Sequence, residues 1–368
     1  MIEHFDTPAL GVDRHYGCRT SSQTTYKGIR TLVMQNEYIR LSLLLDKGTD
    51  IFELLYKPKD VDFLWRSPLG IRHPHQLPSI SNPQGVFMDQ YHGGWQEIFP
   101  SASGPSFYRG AHLGQHGEVA SSAWEARVLL DEPEVVEVLF TVQTLRTPFI
   151  LEKRIRLESG KPILFIRETI LNIGKTGMHY MWGHHPSFGA PFLGEDCTLD
   201  LPHCEILTSE MPNERNRMPT GKRFVWPFAT DQENRPIDLR QIPSATSTST
   251  DMFYATSFAS GWFSLTNRRL GVGIGMVWPV PDFSHLWIWQ EFGGSLGYPW
   301  YGNAYTMAVE PFTSRPDKGE DGLNEAIRNK TAEWVQAGGE VCKELKVVMY
   351  EAKHGVDHIH LSGEVVTR

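Results

Sequence analysis

The chain has 368 residues, 40% hydrophobic and 11% aromatic, which is ample for a large core. Its 35 basic and 43 acidic residues leave a net charge of −8, and no dense Lys/Arg cluster supplies the electrostatic footprint of a nucleic-acid binder. No apolar run approaches the ~18 residues a bilayer span needs, and Cys18, Cys197, Cys204 and Cys342 form no C-x-x-C pair of the zinc-ribbon or thioredoxin type.

The opening stretch, MIEHFDTPALGVDRHYG, has no basic region followed by an apolar one, so it does not read as a signal peptide. With four scattered thiols, the expected compartment is the cytoplasm. Residues 1–29 read as an N-terminal extension of one large domain spanning 1–368. From there on the pattern is short β-type runs between turn residues. YIRLSLLLD (38–46) alternates Ile39, Leu41, Leu43 and Leu45 on one face. SAWEARVLLD and EVVEVLFTVQTLR follow, with DEPE as their turn. FILEKRIRLES and PILFIRETILNIG are joined by GK. The second half repeats the style in GWFSLTNRR, GVGIGMVW, HLWIWQEF, AYTMAVEPF and VCKELKVVMYEA. Helical signal is sparse, with DGLNEAIRNKTAEWVQA (321–337) the best candidate. Two polar stretches, 73–85 and 209–223, read as long surface loops, and loops of that length are usually functional. No linker or repeat interrupts the chain, so the expected fold is all-β, with two antiparallel sheets.

Three islands carry the chemistry. Glu310 lies on an apolar strand immediately before Pro311. A carboxylate there is costly unless paired or used, and burial raises its pKa toward the range of a general base. A strand-end Glu whose side chain reaches solvent is the bland alternative. His184 and His185 end the run HYMWGHHPSF. In an extended chain they point to opposite faces, so at most one enters a shared pocket. Pro186 is expected to end regular pairing and to put the site at a strand end. A core histidine satisfied by hydrogen bonds is the bland reading of either one. HLGQHGE offers His112, His116 and Glu118, a spacing that could hold a divalent metal as in a metal-dependent sugar isomerase.

Together these islands resemble the galactose mutarotase-like superfamily of aldose 1-epimerases and hexose-6-phosphate mutarotases. QHGEV is similar to its His-Gly turn and marks His116. HHPSF is similar to its H-x-[YP]-F segment, where the Phe three residues after the catalytic histidine selects His185. MAVEPFTS is similar to its C-V-E-P segment and marks Glu310. GGWQEIFPSASGP and the closing VQAGGEVCKELKVVMYE extend the likeness over roughly residues 30–352. Ser187 and Gly189 replace the usual Tyr and Asn, and the Asn-Arg sugar-binding segment is not evident.

The resemblance implies a supersandwich, a large distorted β-sandwich with its site in a groove on one face. It implies mutarotation, the interconversion of α and β anomers. Glu310 would take the C1 hydroxyl proton, His185 would protonate the ring oxygen and His116 would assist. Such a reaction needs no cofactor and no metal. Asp251 is the candidate ring-binding acid. Trp95, Trp182, Gln290 and Arg315 are the further candidate sugar contacts, with Trp289 and Tyr301 also near the islands. The expected partner is a small sugar, with no nucleic acid and no membrane; a homodimer is left open. A non-catalytic carbohydrate-binding protein and the metal-dependent isomerase are the competing readings.

Overall fold

Alternation of apolar and polar residues drives the chain into strands with one covered face. In Phe149–Glu158 every second residue is buried. Gly261–Asn267 and Val272–Trp278 are buried along their whole length, as expected of strands covered on both faces. The structure, a computed structural model, describes residues 14–74, 85–211 and 213–368.

Among the described residues the strands form two large antiparallel sheets, of 14 and eight strands. The middle of the larger sheet runs, in spatial order, Asp50–Tyr56, Trp95–Ile98, Gly183–Phe188, Tyr305–Phe312, His285–Phe292 and Ser249–Thr256. The smaller sheet runs from Cys197–Asp200 through Gly261–Asn267, Val272–Trp278, Glu340–Tyr350, Ile163–Asn172, Phe149–Glu158 and Val135–Gln143 to Glu125–Glu132. One contiguous core fills the space between them, with Leu41, Phe99, Leu151, Ile166, Val309 and Val347 among its members. This is the supersandwich expected from the sequence. No helix among the described residues is long and apolar enough to cross a membrane.

The core also holds charge. Lys153 Nζ lies 2.9 Å from Glu97 Oε2, and Trp182 Nε1 donates to Glu97 Oε1 at 2.9 Å. His184 Nε2 lies 3.0 Å from Glu168 Oε2, and Trp95 Nε1 donates to His184 Nδ1 at 3.2 Å. Burial would raise the Glu97 carboxyl, but the Lys153 ammonium and His184 outweigh it and hold it below its ordinary value. Burial and the Glu97 charge push Glu168 the other way, upward. His184 therefore belongs to this inner network, as its place on the strand demands.

Several sequence expectations are corrected. Of the supposed extension 1–29, residues 1–13 lie outside the described part, while Arg19–Tyr26 is the edge strand of the larger sheet. The helix expected over 321–337 covers only Gly322–Arg328; Lys330 adopts φ +63° and turns the chain, and Glu333–Val335 pairs as a strand with Met178–Tyr180. Most of the loop 73–85 lies outside the described residues. Pro186 does not end its strand, which continues to Phe188. Together with Pro311 on the facing strand it does interrupt the ladder to Tyr305–Phe312, which pairs Gly183 with Phe312 and resumes at Ser187 with Ala308, because neither proline has an N–H to give. Glu310 lies across from that interruption.

Gly183 is needed at this place. A Cβ there would come within 2.3 Å of the Phe312 ring, which is stacked on Trp287 at 4.0 Å. Gly183→Ala is expected to cost about 1–3 kcal/mol through overpacking, read as a lower urea midpoint at unchanged slope.

Candidate functional site

The outer face of the larger sheet forms the floor of a cavity of about 360 Å³, within the usual range for small-ligand sites. Its floor carries His185 and Glu310 from adjacent strands, then Trp287 and Trp289, then Met252 and Tyr254. Phe87, Met88 and Tyr91, at and just after the helix Gly85–Gln90, wall one side together with Trp300. The polar loop over 209–223 walls the opposite end through Ser209, Met211, Asn213 and Asn216. A larger hollow of about 630 Å³ lies on the outer face of the smaller sheet, but it is lined by surface ion pairs such as Arg156 with Glu137 and contains no histidine.

His116 enters from a tight turn in which it adopts φ +59° and Gly117 φ +77°. A Cβ on Gly117 would meet the Phe99 carbonyl oxygen at 2.4 Å, so the turn needs glycine there. His116 N–H donates to Ser103 O at 3.1 Å, and Ser103 N–H donates back to His116 Nδ1 at 3.3 Å. The ring is clamped, with its hydrogen on Nε2. Its centroid lies 5.5 Å from that of His185 and 4.5 Å from that of Phe87.

His185 Nε2 lies 3.7 Å from Glu310 Oε1, beyond hydrogen-bond reach, and Glu310 Oε2 has no hydrogen-bond partner among the described residues. Glu310 is 1% exposed, and burial raises its carboxyl well above the ordinary value. Burial also lowers His185 to about 4, with the Asp50 charge opposing it only in part. His116 is lowered well below its ordinary value, first by burial and then by His185. Three proton-transfer groups thus face one cavity uncharged.

The remaining candidates divide. Trp289 lines the cavity and packs on His185 with ring centroids 5.8 Å apart. Trp95 and Trp182 do not reach the cavity: both point inward, to His184 and Glu97, Trp95 from an inner-face position of its strand and Trp182 from just before Gly183–Phe188. Gln290 is also on the inner face and bonds Arg217 and Met307. Asp251 borders the cavity, but its carboxylate is engaged by Arg217 Nε at 2.6 Å and by the N–H groups of Arg217 and Met218 at 3.0 and 3.3 Å. It anchors the 209–223 loop. Arg315 sits behind Tyr254, 6.0 Å from its ring, and pairs with Asp317 at 2.8 Å. Tyr301 is 63% exposed and outside the cavity lining.

The metal constellation is not assembled. His112 is exposed and packs against Phe107 with ring centroids 4.7 Å apart. Glu118 turns away from His116 to accept the N–H groups of Leu145 and Arg146 and the Thr147 hydroxyl. No group of three potential ligands suited to a metal occurs among the described residues.

Sequence reasoning missed Tyr91, Phe87 and Trp300. Their segments carry no motif, and only the fold brings them to the imidazole.

Over residues 26–347 the sequence matches the family described as Domain of unknown function (DUF4432). The chain belongs to this family. No protein of curated function matches it. The DUF4432 chain nevertheless shares its fold with solved structures. It aligns with an aldose 1-epimerase candidate from Klebsiella pneumoniae subsp. pneumoniae at a TM-score of 0.67 and 13% identity, over 91% of this chain and 84% of that one. A galactose mutarotase-like protein from Clostridium acetobutylicum gives 0.59 and 13%, over 91% and 99%. A galactose mutarotase related enzyme from Lactobacillus acidophilus gives 0.58 and 16%, over 88% and 98%. At these identities the likeness establishes the galactose mutarotase-like fold of the DUF4432 chain.

Proposed function

We propose that the protein is a mutarotase, an isomerase that interconverts the α and β anomers of a monosaccharide or its derivative. The reading is supported above all by the convergence of His116, His185 and Glu310, from three distant parts of the chain, on one small cavity walled by aromatic rings. Sugars present C–H faces that pack on such rings, and about 360 Å³ suits one sugar ring better than a chain of them.

Ring opening requires the C1 hydroxyl to lose a proton and the ring oxygen to gain one. Glu310 takes the first, and His185 gives the second from Nε2. His116, with its hydrogen fixed on Nε2, donates a hydrogen bond on the ring-oxygen side. Rotation about C1–C2 presents the other face, and the two groups reverse roles to close the ring. The His185–Glu310 pair must hold one titrating proton between them. Without substrate, burial keeps that proton on the carboxyl. Sugar hydroxyls donating to Glu310 favour the carboxylate; its proton leaves to solvent and His185 takes one up at its free nitrogen, so the proton count of the pair is unchanged.

A pH profile follows. As pH falls toward about 4, His185 gains a proton while Glu310 is still protonated, and the pair then has no base. As pH rises through the elevated Glu310 value, the pair loses its only proton and has no acid. The rate is expected to be level between these limits and to fall on both sides. Exchange NMR of anomer interconversion as a function of pH measures it, and a rate that rises or falls steadily with pH and shows no plateau would contradict the assignment.

The deciding experiment is exchange NMR across a panel of neutral aldoses, their 6-phosphates and uronates. Wild-type acceleration of any member supports the reading and names the sugar class. Binding without exchange would instead favour a carbohydrate-binding protein.

A further inference from the structure

We propose that Tyr91 and Ser187 form a positioning device for His185, a buried hydroxyl pair that holds its Nδ1 and leaves the hydrogen on Nε2, the nitrogen facing Glu310. The kinetic part of this proposal rests on the mutarotase reading; the assignment of the hydrogen does not.

The Tyr91 hydroxyl is hydrogen-bonded to Ser187 Oγ and lies 3.4 Å from His185 Nδ1, and Ser187 Oγ lies 3.2 Å from the same nitrogen. Both side chains are buried, and the Tyr91 ring is fixed by stacking on Phe87 at 5.3 Å and by an edge contact with Trp300 at 5.7 Å. Neither hydroxyl has another hydrogen-bonding partner among the described residues. Hydrogen counting then decides the direction. Each hydroxyl has one hydrogen to donate. If Nδ1 accepts, Tyr91 donates to Ser187 and Ser187 donates to Nδ1, and every donor is used. If Nδ1 carried a hydrogen, three hydrogens would face two hydroxyl oxygens, and the third would need an acceptor outside the trio.

The same count separates the two histidines. Nδ1 of His116 faces the Ser103 N–H, which can only donate, so that ring cannot take a second proton there without losing its clamp. Nδ1 of His185 faces hydroxyls, which can turn and accept. Tyr91 also lines the cavity, so its hydrogen has an outlet toward a bound ligand when the chain reverses. His185 is therefore the histidine that can pass through the imidazolium form, and His116 is a fixed donor. A side chain two residues after the histidine and a second one just after a separate helix together supply what neither supplies alone.

The test is ring ¹⁵N NMR of the substrate-free protein, for wild type, Tyr91→Phe, Ser187→Ala and the double variant. Wild-type His185 is expected as the Nε2–H tautomer. The double variant is expected to lose that preference, while His116 keeps its own tautomer and serves as a control for the fold. With any sugar the wild type turns over, the double variant is expected to lower kcat at least about tenfold, as misassigned tautomers do, with KM changed less than threefold. A wild-type His185 with its hydrogen on Nδ1, or a double variant that keeps the wild-type tautomer or the wild-type rate, overturns the proposal. Because the tautomer is read without sugar, absence of turnover in the wild type would sink the mutarotase reading and leave this assignment to stand or fall on its own.

Discussion

Glu310→Gln is expected to abolish anomer exchange while strengthening the fold. The amide keeps the shape of the carboxyl but can neither take nor return a proton, and a positioned proton-transfer group is typically worth about 10²–10⁴ in rate. The stability effect has a definite sign. Burial holds the folded carboxyl above its ordinary value of 4.5, so the folded state binds the proton more tightly than the unfolded chain does. Below that ordinary value both states are protonated and Glu310 sets no difference. As pH rises toward the elevated folded value, the unfolded chain ionises freely and the folded one does not, and wild type loses stability. The glutamine variant has no such loss. Its advantage should be absent in acid, below about pH 4, and present at neutral pH. Chemical denaturation at both pH values, run beside the exchange measurement, separates the outcomes. A variant that retains the wild-type rate removes Glu310 from the chemistry, and a variant destabilised at neutral pH argues against a neutral buried carboxyl.

Lys153→Met should be the most damaging single change on the inner side of the smaller sheet. It leaves Glu97, 2% exposed, without its counterion. Breaking a buried pair from one end costs about 3–5 kcal/mol, because an uncompensated charge stays behind in a poor solvent. Lys153 also lies over the Trp124 ring at 4.8 Å, so some packing is lost with the charge. Removing Glu97 as well, as Lys153→Met/Glu97→Leu, is expected to recover a large part of the loss. Urea unfolding of the single and double variants measures both. Equal destabilisation by the two would mean that packing rather than charge dominates.

The sequence made the strands legible because two-residue periodicity states directly which side chains are buried. It also made legible that His116, His185 and Glu310 share one cavity, since each sits in a short motif at a strand or turn. The same alternation assigned His184 to the face opposite His185. Trp182, taken as a sugar contact, falls by the same alternation on the His184 face, and the structure keeps it there, out of the cavity. What could not be read was anything set by contacts between distant segments. Arg217 engaging Asp251 depends on how a long loop folds back. Tyr91 reaches His185 only because a six-residue helix lies over the sheet. The end of the helix at Arg328 was missed because the polar run after it keeps a plausible helical period, whereas the positive φ of Lys330 is a backbone fact with no strong signature in a lysine.

The opposed pointing of His184 and His185 bears on how this family can diverge. Along Gly183–Phe188 one side of the ribbon belongs to the ionic interior and the other to the cavity. Exchanging a residue alters one compartment and spares the other. Adding or deleting one residue would exchange the two compartments along the rest of the strand, turning the cavity imidazole inward and the interior one outward. Substitutions at positions such as Met252 and Trp289 therefore alter the cavity alone, whereas a change in the length of the central strand alters both compartments at once.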